Sequence, residues 1–520
     1  MCVLVALAFA PVARASDVKE VRILSTNDIH TYIKPVYYRY LDEIKPWGTV
    51  TSEGDYVEKA GLEGKMGGMA YVATVVKRLR DEKPGAALLV DAGDTWHGAG
   101  MSVVDKGVSM VKIMNAIGYD AMTPGNWEFF YKKDHLLDLV EQSKFPVVAF
   151  NVTDKEWDEP VFERYVIKEV GDVKVAIVGF TYPWTALTTA VRGAAQHWKF
   201  GIREEAAREL IEEIRDEHDP DLVLVTSHGG FGLDQKFAQR VDGIDVLASG
   251  HTHDPVFDPV IWNNTIIYQG GAHGKFVTKL DVRIKDKKPV SYSYELVKVQ
   301  QSELEPDAEI QKLVDAAYAP HAQKLGEIVG ETKTLIYRRA FWQSPMGNLL
   351  TDSLREMTGA DVALFPSWRY GATLMPGKIT MEDVYNVVPS DGTINTFKLS
   401  GKILKRFVNL ALDGFLDRDP YSRVGGDFIR FSGMKLVYDN SRPTGQRLVS
   451  LEVGGEPITD NKTYSIASVH TRFQLNPLFQ ATELEDTGRV FVDELTEYIR
   501  KHSPISPSLD DRIVSVEGTS

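Results

Sequence analysis

Seven side chains able to bind a metal stand just after apolar runs in the first half of the chain: Asp28, His30, Asp94, Asn126, His228, His251 and His253. Val21 to Ser25 runs into Asn27-Asp28-Ile29-His30, and Ala87 to Val90 into Asp91-Ala92-Gly93-Asp94. The segment before Pro124 runs into Gly125-Asn126-Trp127-Glu128. Leu222 to Thr226 runs into Ser227-His228-Gly229-Gly230, and Val246 to Ala248 into Gly250-His251-Thr252-His253. Neutral imidazole and carboxylate oxygens ligate divalent transition metals. Singly, each has an ordinary alternative: a loop cap for Asp28, a turn residue for Asn126, a solvated loop histidine for His251 or His253. Together they suggest convergence, because ligands of open α/β sheets bind in the crevice at the carboxyl ends of the strands. Seven N/O donors exceed one tetrahedral site and suit two ions sharing a carboxylate. A pair of ions about 3.5–4 Å apart is a recurrent hydrolytic device.

The elements that would position these donors follow from periodicity. Short apolar runs predict strands at 21–25, 87–90, 147–150, 173–180 and 222–226. Helical spacing appears over 68–80, 108–117, 135–140 and 203–216. Strands alternating with helices imply a layered α/β core. Three strands then close the unit, over 265–268, 276–284 and 290–298. Gln301 to Glu327 changes character, with Ile310, Leu313, Val314 and Ala317 at helical spacing and Pro320 beyond. It predicts a connecting helix over 301–331, kinked or ended near Pro320, between a first domain over 16–300 and a mixed α and β domain over 332–520.

Composition narrows the function. The chain has 520 residues, 43% hydrophobic and 25% charged, with a net charge of -14, ordinary for a soluble globular protein of two domains. No basic stripe is present, which argues against nucleic-acid binding. The apolar run Cys2 to Ala10 is too short to span a bilayer, and no later segment reads as transmembrane. The run ends in Ala13-Arg14-Ala15, a pattern suited to signal cleavage, so residues 1–15 are expected to be a signal peptide and the mature protein to be exported, soluble and periplasmic. Cys2 is the only cysteine. Cleavage would leave none, and any metal would be held by N and O donors.

The ordered motifs Asp-x-His, Gly-Asp, Gly-Asn-x-Glu, Ser-His-Gly-Gly and Gly-His-Thr-His resemble the calcineurin-like metallophosphatase superfamily, and the two-domain length resembles its 5′-nucleotidase branch. The resemblance implies a four-layer α/β/β/α metal domain plus a smaller α+β C-terminal domain that supplies substrate contacts. It implies Asp28, His30 and His253 on one metal, Asn126, His228 and His251 on the other, and Asp94 bridging. Two departures stand out. Where nucleotidases read Gly-Asn-His-Glu-Phe-Asp, with His and Asp aiding the leaving group, this chain reads Gly125-Asn126-Trp127-Glu128-Phe129-Phe130. After Tyr464 to Ala467 it runs Ser468-Val469-His470-Thr471-Arg472, without the late Gly-Gly-Asp-Gly-aromatic motif of the base-stacking site.

Gly125 to Tyr131, Asp94-Thr95-Trp96-His97-Gly98, Lys34 to Arg39, Trp368-Arg369-Tyr370-Gly371 and Asp419-Pro420-Tyr421 followed by Gly425-Gly426-Asp427 resemble the SoxB family, dimanganese thiohydrolases of bacterial sulfur oxidation. Members usually have Gln where His97 stands. The resemblance implies two divalent ions, expected as Mn2+ with Zn2+ or Fe2+ as alternatives. It implies hydroxide on the metal pair attacking a cysteine S-thiosulfonate and releasing sulfate. The carrier would be a SoxYZ-type protein with its cysteine on a flexible C-terminal arm, and the enzyme is expected as a monomer. A 5′-nucleotidase or other phosphoesterase is the alternative. Asp94, Asn126 and Arg369 are the expected catalytic residues. Arg369 would offer its planar fork to sulfonate oxygens, with a surface salt bridge as the ordinary reading. Asn348 would reach the substrate or else cap a helix. Trp127 and Tyr131 would wall a narrow channel, or Trp127 would fill the core around Asn126. Arg423 and Asp427 are weaker candidates.

Overall fold

Side-chain alternation along the strands builds two stacked sheets with helices outside. The computed structural model describes residues 18–37, 57, 60–188, 195–469 and 479–516. The expected signal peptide, Tyr38, Arg39 and His470 to Arg472 lie outside the described residues. One sheet has the strand order Lys288–Lys298, Phe276–Lys285, Lys19–Thr26, Ala87–Asp91, Ala121–Met122, the last three parallel. The other runs Val260–Trp262, Thr265–Gln269, Val246–Ser249, Leu222–Ser227, Val173–Phe180, Tyr165–Val170, with its four central strands parallel.

Successive residues of a strand face opposite sides of its sheet. Val21, Ile23, Leu88 and Val90 therefore meet Val175, Ile177, Leu222 and Leu224 between the sheets. Leu24 and Leu89 face outward onto the helices Met69–Asp81 and Val108–Ile117. Ala176, Val178, Val223 and Val225 face the helices Glu204–His218 and Phe231–Arg240. The result is the α/β/β/α layering. Arg22 fastens one edge: its Nε and Nη2 fork onto Asp281 at 2.7 and 2.9 Å, and Nη1 reaches Glu82 at 2.8 Å.

Two expectations need correction. Val147 and Val148 form isolated bridges to Met122 and Glu163 rather than a strand over 147–150. The connecting helix ends near Pro320 as expected, but it does not fill the stretch 301–331. That stretch contains a helix Ala308–Tyr318, capped by Asp307, then short turns and the strand Ile328–Thr332. Ile310, Val314 and Tyr318 are buried with the helices Met69–Asp81 and Val108–Ile117, so apolar packing fastens the helix to the first domain's outer layer.

The second domain centres on a sheet of order Arg430–Ser432, Val362–Phe365, Thr463–Ser468, Thr393–Ser400, Thr482–Val490. The helices Pro345–Thr358 and Phe491–His502 cover one face through Leu350, Leu354 and Leu495. Gly401–Leu416 covers the other through Leu404, Val408 and Leu412. Hydrogen bonds tie the domains together: Ala372 N to Tyr32 Oη (3.0 Å) and Gly100 N to Asn386 Oδ1 (2.8 Å). Among the described residues no helix is long and apolar enough to cross a membrane.

Candidate metal centre

The donors lie where strands of both sheets end. Asp28 and His30 follow Lys19–Thr26, Asp94 follows Ala87–Asp91, and Asn126 follows Ala121–Met122. His228 follows Leu222–Ser227, and His251 and His253 follow Val246–Ser249. Five of them occupy left-handed backbone: φ is 51° at Asp28, 52° at His30, 54° at Asp94, 71° at His251 and 61° at His253. Each such residue costs on the order of 1 kcal/mol or more, and tertiary bonds must hold it there. They do: Asp28 N donates to Gly93 O (2.8 Å) and His30 N to Asp94 O (2.9 Å), zipping two loops together. Gly125 is required for close approach, since a Cβ there would lie 2.3 Å from Asp94 Oδ1.

The side chains form two groups, Asp28/His30/His253 and Asp94/His228/His251, with the ligand atoms of each within 4.8 Å of one another. All six are buried. Asp28 Oδ1 is 3.1 Å from His253 Nε2 and 3.9 Å from both His30 Nε2 and His228 Nε2. Asp94 Oδ2 is 3.1 Å from His228 Nε2 and 3.9 Å from His30 Nε2, so it stands between the groups. Asn126 lines the same cleft as Asp94, His251 and His253. Its Oδ1, like Asp28 Oδ1, is buried with no hydrogen-bond partner.

The donors fit cations. His30 Nδ1 lies 2.8 Å from His97 O and His228 Nδ1 2.6 Å from Ala92 O. A carbonyl only accepts, so each Nδ1 carries a proton and each Nε2 faces inward as the nitrogen that a neutral ring would use to ligate. The lone pair of His30 Nε2 points toward His253 Nε2, 3.2 Å away. Buried acceptors converging without donors are costly, and divalent ions would satisfy them. Burial lowers the His30 pKa to about 3; burial, then Arg369, holds His251 and His253 well below the usual histidine value. Neutral imidazole is the ligating form. Burial also pushes His228 down, but the Asp94 and Asp28 carboxylates outweigh it and raise that ring to about 10. A nearby cation would reverse that balance.

Glu128, whose role was not read from the sequence, supports the loops from behind. Its Oε1 accepts from Thr95 N (2.7 Å) and Trp96 N (2.9 Å), and its Oε2 from Asp94 N (3.1 Å) and Gly125 N (2.8 Å). Burial, then the Asp94 carboxylate, pushes its pKa up to about 7 against those donors. Asp234 likewise joins two strand ends, accepting from Ser227 Oγ and Ser249 Oγ at 2.6 Å each.

A cleft of about 530 Å3 opens from the donors toward the second domain. Trp127, Arg369, Arg423 and Asp427 all line it. Arg369 Nη1 donates to His251 O (2.8 Å) and Nη2 to Gly425 O (2.9 Å). It braces the ligand loop as well as adding positive charge beside it, and is not a surface salt bridge. Arg339, not anticipated, binds Asp427 Oδ1 (2.5 Å) and Thr252 O (3.3 Å). Tyr182 and Tyr370, also not anticipated, stack on His251 (ring centroids 4.0 Å) and His30 (4.6 Å). Two expected contacts are not brought to the cleft. Asn348 is buried in the first turns of Pro345–Thr358, where Nδ2 donates to Ser508 O (2.7 Å) and Gln343 Oε1 (3.2 Å). Tyr131 lies behind the wall, donating to Trp96 O at 3.0 Å with its ring edge-on to His97.

Comparison with known proteins agrees with this architecture. Residues 21–255 match the calcineurin-like phosphoesterase family, and residues 328–482 match the 5′-nucleotidase C-terminal domain. A curated relative, 5′-nucleotidase of Bos taurus, is 27% identical over 95% of this chain and 90% of its own. Two solved Thermus thermophilus proteins share the fold. Sulfate thiohydrolase SoxB has a TM-score of 0.86 and 24% identity, covering 96% of this chain and 97% of that one. A 5′-nucleotidase precursor has 0.82 and 23%, covering 96% and 100%. The chain is therefore a 5′-nucleotidase-type calcineurin-like metallophosphatase, with an N-terminal metallophosphatase domain followed by a C-terminal 5′-nucleotidase domain.

Proposed function

We propose that this hydrolase releases sulfate from a cysteine S-thiosulfonate borne by a carrier protein. The observation that carries the reading is the aromatic block beside Asn126. Trp127 is 6% exposed. His97 stacks on its indole at 4.8 Å, and Tyr370 and Trp368 meet it edge-on at 5.0 and 5.3 Å. Phe130 closes against His97 at 4.3 Å. Among the described residues, the histidines lining the cleft are His251 and His253. Its acids beyond Asp94 are Asp254 and Asp427, both against Arg339 at 3.9 and 2.5 Å. An alkoxide leaving from a phosphate ester benefits from a proton donor. A perthiolate is far less basic and leaves without one.

The reaction balances as R–S–S–SO3− + H2O giving R–S–SH + HSO4−. The water oxygen bonds to the sulfonate sulfur, and the S–S electron pair departs on the outer sulfur of the carrier. Bound at the two groups of donors, divalent ions supply Lewis acidity toward the sulfonate and activate water at neutral pH. Asp28, His30 and His253 would hold one and Asn126, His228 and His251 the other, with Asp94 shared. Arg369 adds positive charge where the anion enters. Trp127 and its neighbours keep water and proton donors from the departing sulfur. Mn2+ is the proposed metal. A SoxYZ-type carrier arm is the proposed partner, met by a monomer in the periplasm.

A phosphate monoester reading is favoured by the name of the bovine relative. The deciding experiment loads the protein with Mn2+ and offers a thiosulfonate-bearing carrier or cysteine peptide beside a nucleoside monophosphate. Sulfate release, measured by ion chromatography, is expected to exceed phosphate release. Brisk phosphate without sulfate would refute the proposal.

A further inference from the structure

Three of the four histidines in the two groups have ring-nitrogen contacts within the first domain. His30 and His228 hold carbonyl oxygens through Nδ1, and His253 Nε2 is set against His30 and Asp28. His251 differs, because neither of its ring nitrogens has a hydrogen-bond partner. Its backbone is left-handed and its ring is buried. Its ring stacks on Tyr182 at 4.0 Å and 26° and meets His228 edge-on at 5.1 Å, and its backbone N donates to Asp28 Oδ2 at 2.9 Å. What holds the backbone carbonyl is Arg369 Nη1 at 2.8 Å.

The Tyr182 and Arg369 supports both end on one residue of the second domain. Gly425 N donates to Tyr182 Oη at 3.0 Å, and Gly425 O accepts from Arg369 Nη2 at 2.9 Å. The Gly425 φ is 105°, a conformation that suits glycine. The loop is itself anchored: Asp427 O accepts from Ser367 Oγ, and Asp427 Oδ1 accepts from Arg339, whose other arm reaches Thr252 O. Three routes thus run from residues 425–427 to residues 251–252, across the domain boundary.

We propose that Tyr182 is the positioning residue for His251, and that Gly425 acts through it and Arg369 to place one metal ligand under the control of the second domain. The ion held by His251 is then retained only while the Gly425 loop is seated, whereas the ion at Asp28, His30 and His253 does not depend on that loop: its second-domain contact is the Tyr370 ring stacked on His30. The proposal rests on the dimetal reading of the site and not on the sulfur chemistry.

The test uses the full chain loaded with Mn2+ and two variants. Tyr182→Phe keeps the stacked ring and removes only the tie to Gly425. Tyr182→Leu removes both. Ions per chain are counted by mass spectrometry after timed exposure to a chelator, and electron paramagnetic resonance distinguishes a coupled pair from a single ion. One of the two ions is expected to leave Tyr182→Leu about 10- to 100-fold faster than wild type, the usual effect of removing a residue that orients a ligand. A single-ion spectrum should remain. Tyr182→Phe should fall between the two, and because it is isosteric it decides the matter alone if Tyr182→Leu fails to fold. Loss at the wild-type rate in Tyr182→Phe, or simultaneous loss of both ions, would overturn the proposal. A wild-type chain that takes up fewer than two ions would overturn the dimetal reading itself, and the proposal with it.

Discussion

Replacing Glu128 by Gln tests whether the metal loops are held by a buried carboxylate. Each of its oxygens accepts two backbone N–H groups, from Thr95 and Trp96 on one side and Asp94 and Gly125 on the other. Gln keeps the shape but turns one oxygen into a donor, so two N–H groups in a fully buried site lose their acceptor. A buried unsatisfied donor costs about 1–3 kcal/mol, giving about 2–6 kcal/mol for the pair. For a domain of this size about 2 °C of melting temperature goes with each kcal/mol, so the first-domain transition should fall by about 4–12 °C. Scanning calorimetry on metal-free protein reads this directly. Because Asp94 N and Gly125 N are among the donors, metal uptake should weaken in the same variant. A transition within about 1 °C of wild type, where the bonds predict at least 4 °C, would refute the claim that Glu128 holds these loops.

Further outcomes follow from the same geometry. Trp127→His with Phe130→Asp should gain phosphate-ester hydrolysis, measured with a nucleoside monophosphate; an unchanged rate would show that the aromatic pair is not the barrier. Gly98→Ala should lose metal, because φ is 136° and the new Cβ would sit 2.6 Å from His30 Nδ1; retention of two ions by elemental analysis would contradict this. Burial pushes Asp281 up, but the Arg22 fork outweighs it and holds its pKa below the ordinary carboxylate value. Its stabilisation is present above the unfolded value and lost as pH falls through the lower folded one. Wild type should therefore lose stability more steeply than Asp281→Asn below about pH 4; parallel curves from acid denaturation would be the contrary result.

The parts of the site that stood in the sequence were those adjacent to strand ends. Asp28, His30, Asp94, His228, His251 and His253 each follow an apolar run whose register is set by burial between two sheets, so a short-range pattern located them. Residues arriving from elsewhere in the chain left no such trace. Tyr182 and Tyr370 meet the ligand rings only after two sheets and two domains have packed, and Arg339 shows its role only through Asp427 and Thr252. Asn348 illustrates the opposite error. It was expected to reach the substrate or else cap a helix, whereas its amide is committed to the chain near Ser508. The helix Ala308–Tyr318 was recognised as a helix by period, but its membership depended on the partners of Ile310 and Val314, which period does not specify.

The left-handed backbone at Asp28, His30, Asp94, His251 and His253 governs what substitutions the site can absorb. Asn and Asp tolerate this conformation better than other side chains except glycine. Asp28→Asn and Asp94→Asn therefore remove charge from the centre with little backbone penalty, while Val or Ile at the same places would meet steric strain as well. The route by which such a protein loses its chemistry is thus gentler than the route by which it loses its shape. Inactive descendants bearing Asn at these two positions should remain foldable, and a chain of this architecture needs its carboxylates inspected before activity is inferred from its fold.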